Sequence, residues 1–150
     1  SGGQLIVIGS GENQLEWRFQ MLRDRHPRHI GVYLGYSDPL AHLATAGGDV
    51  LLMPSRHEPC GLTQLYAKRY GTLPIVQSNG GLADTVDERT GFLFDERFTT
   101  LAETARQAMR LFQDRKRWRA MMSAAMLSDH GWQRSAIEYQ QLYDRLTVQR

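Results

Sequence analysis

The most informative segment of the chain is Pro54-Ser55-Arg56-His57-Glu58-Pro59-Cys60-Gly61-Leu62-Thr63-Gln64. A short apolar run, Val50 to Met53, precedes it, and a helical pattern follows it, with Leu62, Leu65, Tyr66 and Tyr70 as its apolar positions. The segment is therefore predicted to lie where a buried parallel strand ends and a helix begins. In open α/β sheets, ligands bind in the crevice at that place.

Three features of this segment suit a phosphorylated sugar ligand. Gly61 allows a phosphate to approach the backbone, and the free N–H groups of Leu62 and Thr63 would face it with the helix dipole behind them. Phosphate would repel the carboxylate of Glu58, so this residue is expected to accept hydrogen bonds from sugar hydroxyls; the alternative is a simple helix N-cap. Together these residues predict recognition of a nucleotide sugar.

A longer set of motifs resembles the C-terminal half of bacterial glycogen synthases and plant starch synthases. The similarity covers nearly all of the chain, including Gly2 to Leu5, Gly9-Ser10-Gly11 and Gly35-Tyr36. Its most specific parts are Ser55 to Ala67, Arg69-Tyr70-Gly71-Thr72-Leu73-Pro74-Ile75-Val76 and Gly80-Gly81-Leu82-Ala83-Asp84-Thr85-Val86.

The resemblance implies a retaining glycosyltransferase that moves glucose from ADP-glucose to the non-reducing end of an α-1,4-glucan. In that family two Rossmann-like domains face each other across a cleft, in the arrangement called GT-B. The donor binds mainly to the C-terminal domain, and no metal or other cofactor is required. Glu58 stands at the family's catalytic glutamate, which contacts the donor sugar. Tyr66 stands where related transferases carry a second glutamate, and this departure favours the glycogen synthase family over the wider one.

The resemblance also implies further nucleotide-sugar contacts. Tyr36 would stack on the adenine, although a tyrosine after a strand can equally pack against the protein. Cys60 would lie beside the sugar pocket, and we assign it no nucleophilic role. Gly80 and Gly81 either adopt a positive φ or let the backbone approach the donor, and both interpretations remain open.

Part of the family's apparatus is expected to lie outside this chain. An arginine and a lysine that hold the diphosphate, and the N-terminal domain that binds the glucan acceptor, precede the matching region in the family. We therefore expect the isolated chain to be inactive. Two alternatives remain: a non-catalytic nucleotide-binding or assembly module, and a transferase that uses UDP-glucose.

The apolar pattern alternates between strands and helices along residues 1–94. Strands are predicted at 5–8, 30–34, 50–53, 73–76 and 91–94, with helices between them and a capping box at Thr100 to Glu103 that opens a helical tail over about 99–150. This alternation indicates a doubly wound parallel α/β sheet, a Rossmann-like domain. At 150 residues the chain is expected to form a single domain.

The family's sheet has the strand order 3-2-1-4-5-6, and residues 4–8 correspond to its second strand. The central strand is thus missing, and buried unpaired backbone groups would cost on the order of 1–3 kcal/mol each. Three solutions are expected: direct pairing of the neighbouring strands, a strand supplied by another chain through self-association, or a longer polypeptide.

Composition and charge limit the compartment and the kinds of partner that we expect for the chain. No apolar run approaches the ~18 residues of a membrane span, and the start of the chain does not resemble a signal peptide. One cysteine agrees with a reducing, cytoplasmic compartment. A net charge of +2, with acidic residues among the arginines of 106–119, argues against nucleic-acid binding. The five histidines have no metal-ligand spacing.

Apolar residues recur through the predicted helical tail. We expect them to be buried on its helices: Ala105, Met109, Phe112, Trp118, Met121, Met122, Leu127, Ile137, Leu142 and Leu146. The aromatic residues of the last helix are interpreted as core and not as a carbohydrate platform: Trp132, Tyr139 and Tyr143.

Overall fold

A computed structural model describes residues 2–95 and 98–148, in which strands and helices alternate before a helical tail. The strands are β1 (Leu5–Gly9), β2 (Ile30–Leu34), β3 (Val50–Met53), β4 (Leu73–Gln77) and β5 (Phe92–Phe94). The helices are α1 (Asn13–Arg25), α2 (Asp38–Gly47), α3 (Thr63–Tyr70), α4 (Gly80–Thr85), α5 (Phe98–Gln113), α6 (Arg115–Leu127) and α7 (Trp132–Val148). The predicted α/β architecture with a helical tail is confirmed.

Helix starts agree with the sequence signals at α2 but not at α5. The hydroxyl of Ser37 accepts a hydrogen bond from the N–H of Leu40 at 3.4 Å and so caps α2. The predicted capping box at Thr100 is wrong, because α5 already begins at Phe98. The Thr100 hydroxyl lies inside the first turn and donates instead to Asp95 Oδ1 at 3.1 Å.

All strand pairs are parallel, and the strands form two sheets. One has the order β1–β2, with Leu5 opposite Ile30, and the other has the order β3–β4–β5. Both orders match the family order with its central strand left out. How the gap left by the central strand is filled stays a prediction, for direct pairing as for a strand supplied by another chain or a longer polypeptide.

The chain divides into two compact units, Ser1–Gly48 and Asp49–Arg150. The first contains the two-stranded sheet with α1 and α2, and none of its described residues is buried. The second contains the three-stranded sheet and the other helices. This division into compact units does not test the expectation of one domain over residues 1–150, which stays a prediction.

The second unit has a continuous hydrophobic core, because β4 is buried along its whole length. Trp118 lies at the centre with 2% of its surface exposed; its ring stacks on Phe92 at 6.4 Å and meets Phe112 edge-on at 5.1 Å. The buried members of this cluster are Leu73, Ile75, Phe92, Phe94, Ala108, Trp118 and Ala125. The predicted contributions of Ala105, Phe112, Met121 and Met122 are confirmed, since these residues pack against the cluster.

Other expected core positions of the tail are exposed. Met109 and Leu127 are 42% and 83% exposed, and Trp132, at the start of α7, is 82% exposed. The interpretation of the last helix as core is wrong for all of its predicted residues, which are exposed: Trp132, Ile137, Tyr139, Leu142, Tyr143 and Leu146. The physical reason is that α7 packs closely against no other described element.

Candidate functional site

The turn between β3 and α3 lies where the sequence predicts it, between a parallel strand and a helix. Gly61 has a φ of +71°, in the left-handed region that favours glycine, and α3 begins two residues later at Thr63. No side chain caps this helix. Among the described residues, none accepts a hydrogen bond from the N–H of Leu62 or Thr63. A helix N-terminus with free N–H groups therefore follows the turn.

A second glycine turn, between β4 and α4, lies against the first. The N–H of Gly81 donates to the carbonyl oxygen of Glu58 at 3.0 Å. A Cβ atom at Gly80 would overlap the same oxygen, and a Cβ atom at Gly81 would overlap the carbonyl oxygen of Cys60. Gly80 also has a φ of +42°. Both glycines are thus needed for the contact between the two turns, whatever contact they also make with a ligand.

A buried polar network lies behind the two turns. Gln64 and Lys68, one helical turn apart on α3, are 0% and 2% exposed. The Gln64 amide Nε2 donates to the Thr85 hydroxyl at 3.1 Å, and Lys68 Nζ donates to the Thr85 carbonyl oxygen at 2.8 Å. Residues at both ends of α3 therefore bind the last residue of α4.

Lys68 also contacts His130, which follows α6. The distance from Lys68 Nζ to His130 Nε2 is 2.9 Å. Burial lowers the pKa of Lys68 from its ordinary value, opposed by the charge of Asp87. Burial, and then the charge of Lys68, lower the pKa of His130, opposed by Asp129. A neutral imidazole can accept the lysine's hydrogen bond, whereas a protonated one would place two cations in contact.

The structure brings most of the predicted site residues together in the second unit. Glu58 is half-buried, and Cys60, Leu62 and Thr63 are exposed on the same turn. The second turn, with Gly80 and Gly81, lies against it, as described above. Tyr36 belongs to the first unit, between Gly35 and the cap of α2, and its ring is 88% exposed. Adenine stacking by Tyr36 and its alternative, packing against the protein, both stay predictions.

The network of Gln64, Lys68, Thr85 and His130 was not predicted from the sequence. The apolar positions of this segment do not mark its buried face, since Leu62, Tyr66 and Tyr70 are exposed. The residues buried on α3 are instead Gln64, Ala67 and Lys68. The available signal was the spacing of Gln64 and Lys68, four residues apart and flanking the small Ala67, which places all three on one face.

Two other expectations concern absences. In the described part of the chain, no three His, Cys, Asp or Glu side chains group closely enough to hold a metal ion. Over residues 2–95 and 98–148, no helix has the length and apolar character needed to cross a membrane. Independence of metals and cofactors stays a prediction.

A glycine turn after a parallel strand, followed by a helix N-terminus with free N–H groups, is the arrangement at which many α/β proteins bind anions. Comparison with known families makes this class more specific. The sequence pattern of the family described as "Glycosyl transferases group 1" matches residues 3–125. The chain belongs to this family of glycosyltransferases.

Individual relatives agree with the predicted resemblance. The chain is 46% identical over 154 aligned positions to the glycogen synthase of Actinobacillus pleuropneumoniae (serotype 5b, strain L20), an alignment that covers 95% of this chain and 32% of the relative. It is also 46% identical to the glycogen synthase of Mannheimia succiniciproducens, with 97% and 33% covered. The chain thus spans about a third of the length of these curated relatives.

A solved structure supports the same fold. The catalytic domain of Starch Synthase IV from Arabidopsis thaliana, bound to ADP and acarbose, superposes with a TM-score of 0.81 at 29% identity. The match covers 99% of this chain and 33% of that one. The predicted resemblance to glycogen and starch synthases is confirmed.

Proposed function

We propose that the chain is the donor-binding part of an ADP-glucose-dependent glycogen synthase. The observation that carries this proposal is the Gly61 turn, which leaves the N–H groups of Leu62 and Thr63 free at the start of α3. The relatives named glycogen synthase, and the starch synthase structure bound to ADP and acarbose, support adenosine diphosphate as the bound moiety. The reaction is transfer of glucose to the non-reducing end of an α-1,4-glucan with retention of configuration.

The diphosphate is the part of the donor that the turn suits best. Two free N–H groups and the positive end of the α3 dipole attract an anion. The same groups stabilise the charge that develops on the diphosphate as the glucosyl bond breaks, an electrostatic contribution available without rearrangement. Leu62 and Thr63 therefore act in binding and in catalysis through their backbone.

Glu58 is proposed to orient the donor sugar. Its backbone is fixed by the hydrogen bond from Gly81, so the carboxylate extends from a rigid segment. A carboxylate accepts hydrogen bonds from sugar hydroxyls, and such bonds to a charged group contribute about 1.5–3 kcal/mol. Cys60, Gly80 and Gly81 form the adjoining wall, and Tyr36 stacks on the adenine.

The acceptor glucan requires residues beyond this chain. We propose that it binds to an N-terminal domain like that of the relatives, that the isolated chain does not transfer glucose, and that the reaction needs no metal. We further propose a cytoplasmic enzyme, because a single cysteine suits a reducing compartment.

An amide NMR spectrum of the 150-residue chain, recorded with and without ADP, tests donor binding. We expect the peaks of Gly61 to Thr63 and of Tyr36 to shift with ADP and to respond weakly to UDP. A stronger response to UDP would favour a UDP-glucose transferase. Amide peaks that shift with neither nucleotide would contradict donor binding by this chain.

Transfer is tested in a hybrid enzyme, in which the chain replaces the matching third of the Mannheimia succiniciproducens glycogen synthase. We expect the hybrid to elongate glucan from ADP-glucose and Glu58→Gln to slow this by roughly 10- to 100-fold. Glu88→Gln, an exposed carboxylate of the same unit, is the matched control and should leave the rate unchanged. A hybrid that binds ADP but transfers nothing would favour the non-catalytic module.

A further inference from the structure

The side chain of Gln64 holds the glycine turn from behind. Its Nε2 donates to the carbonyl oxygens of Cys60 at 3.1 Å and Gly61 at 2.9 Å, and to the Thr85 hydroxyl at 3.1 Å. Because all three neighbours of this nitrogen are oxygens, the orientation of the amide follows from its surroundings. One buried side chain thus binds both carbonyl groups of the turn and the helix behind the second turn.

Thr85 continues this chain of hydrogen bonds in one direction. Its hydroxyl donates to the Gly81 carbonyl oxygen at 2.6 Å, so it must accept from Gln64. The order of donors and acceptors is therefore fixed from Gln64 through Thr85 to Gly81. The two turns contact each other through the Gly81 N–H and the Glu58 carbonyl oxygen. Gln64 and Thr85 join them a second time.

The absent side chain of Gly61 provides the space for this arrangement. A Cβ atom at Gly61 would lie 2.5 Å from Gln64 Oε1 and 2.8 Å from Gln64 Nε2. Gln64 Oε1 is itself buried and has no hydrogen-bond partner in the part of the chain that the structure describes.

We propose that Gln64 and Thr85 are positioning residues for the nucleotide-sugar donor. By binding the Cys60 and Gly61 carbonyl groups, Gln64 fixes the direction of the N–H groups in the same peptide planes, those of Gly61 and Leu62, and Thr85 holds the Gln64 amide in place. A turn that is already in its binding conformation does not lose conformational freedom when the diphosphate binds. This inference rests on the proposed function and adds to it the residues that prepare the site.

Two threonines allow a matched test. The hydroxyl of Thr104 on α5 donates to the carbonyl oxygen four residues earlier at 2.8 Å, as that of Thr85 does. Of these two hydroxyl groups, only that of Thr85 accepts a hydrogen bond from Gln64. Thr85→Val and Thr104→Val therefore remove the same local bond at nearly constant volume, and only the first disconnects the turn.

We expect Thr85→Val to weaken ADP binding by the 150-residue chain about 3- to 10-fold and to shift the free-state amide peaks of Gly61 to Thr63. Thr104→Val should change neither, although both variants lower the melting temperature. Equal ADP affinities and unchanged peaks in both variants would overturn the proposal.

Gln64→Met removes all the donated bonds while keeping an unbranched side chain of similar length. We expect a larger loss of ADP affinity than for Thr85→Val, and no further loss in the double variant, because the two residues act as one unit. Additive losses of ADP affinity in the double variant would contradict the proposal that Gln64 and Thr85 act as one unit. If the unaltered chain does not bind ADP, the proposed function fails, and the free-state amide peaks alone decide whether Gln64 and Thr85 set the turn.

Discussion

The two units of the chain are built from the same alternation of parallel strands and helices, but they bury very different amounts of surface. In the first unit no described residue is buried, and Trp17 on α1 is 58% exposed. In the second unit β4 is buried along its length and Trp118 is 2% exposed. Regular secondary structure and a hydrophobic core are therefore separate properties of this chain.

The difference follows from the number of strands in each sheet. A two-stranded sheet offers little surface on which helices can pack, and such sheets are marginally stable by themselves. The second unit has a central strand with a neighbour on each side, and α5 and α6 pack on its sheet. Stability is expected to reside mainly in the second unit.

The largest expected effect compares the two tryptophans. Trp118→Ala removes a ring that packs on Phe92 and Phe112, and should lower the free energy of unfolding by about 3–5 kcal/mol. Trp17→Ala removes an exposed ring and should change it by no more than about 0.5 kcal/mol. Urea denaturation followed by circular dichroism measures both. Equal losses would break the distinction between the units.

Two glycine substitutions, one in each unit, are expected to change the free energy of unfolding in opposite directions. Gly81→Ala places a methyl group against the Cys60 carbonyl oxygen and should cost about 1–3 kcal/mol. Gly31→Ala, on β2 of the first unit, meets nothing within 4 Å and should stabilise its strand by about 0.5–1 kcal/mol. Melting temperatures of the two variants test this, and destabilisation by Gly31→Ala would show that the first unit is packed more tightly than described.

The smallest expected effect is a pH dependence confined to the second unit. Because the pKa of His130 is lowered in the folded protein, the unfolded chain takes up its proton first. The free energy of unfolding should therefore fall as pH drops through about 6.5, the ordinary histidine value. Urea denaturation at several pH values, followed by the amide peak of Ile75, measures this fall.

Two substitutions of this region should act in opposite directions. His130→Gln should reduce the fall in stability with decreasing pH. Asp129→Asn keeps the oxygen that accepts from the Gly131 N–H but removes a charge that raises the pKa of His130, so it should deepen the fall. An unchanged pH dependence in both variants would contradict the role of His130.

Most of the secondary structure, and the turn itself, follow from local sequence signals. The alternation of apolar runs places β2 and β3 at their observed bounds, and the turn with Gly61 lies between a strand and a helix as predicted. These features depend on residues close together in the chain. The family resemblance supplied the sheet orders, which depend on distant residues and have no local signal.

Burial on the helices could not be predicted in the same way. Apolar residues on α3 and α7 indicate faces that need covering, but the pattern does not say whether a covering element is present. The buried polar face of α3 was missed because Gln64 and Lys68 become compatible with burial only through Thr85 and His130. Those partners lie 17 to 62 residues away in the sequence.

The exposed Cys60 has a practical consequence. It is the sole cysteine of the sequence, and its sulfur lies on the turn, 3.7 Å from the Gly61 carbonyl oxygen. A small maleimide dye would therefore attach at one place without any prior mutagenesis. Because Cys60 lies in the wall of the proposed donor pocket, the rate of labelling would report on the accessibility of the turn, and bound donor should slow it, in the unaltered sequence and in every variant considered above.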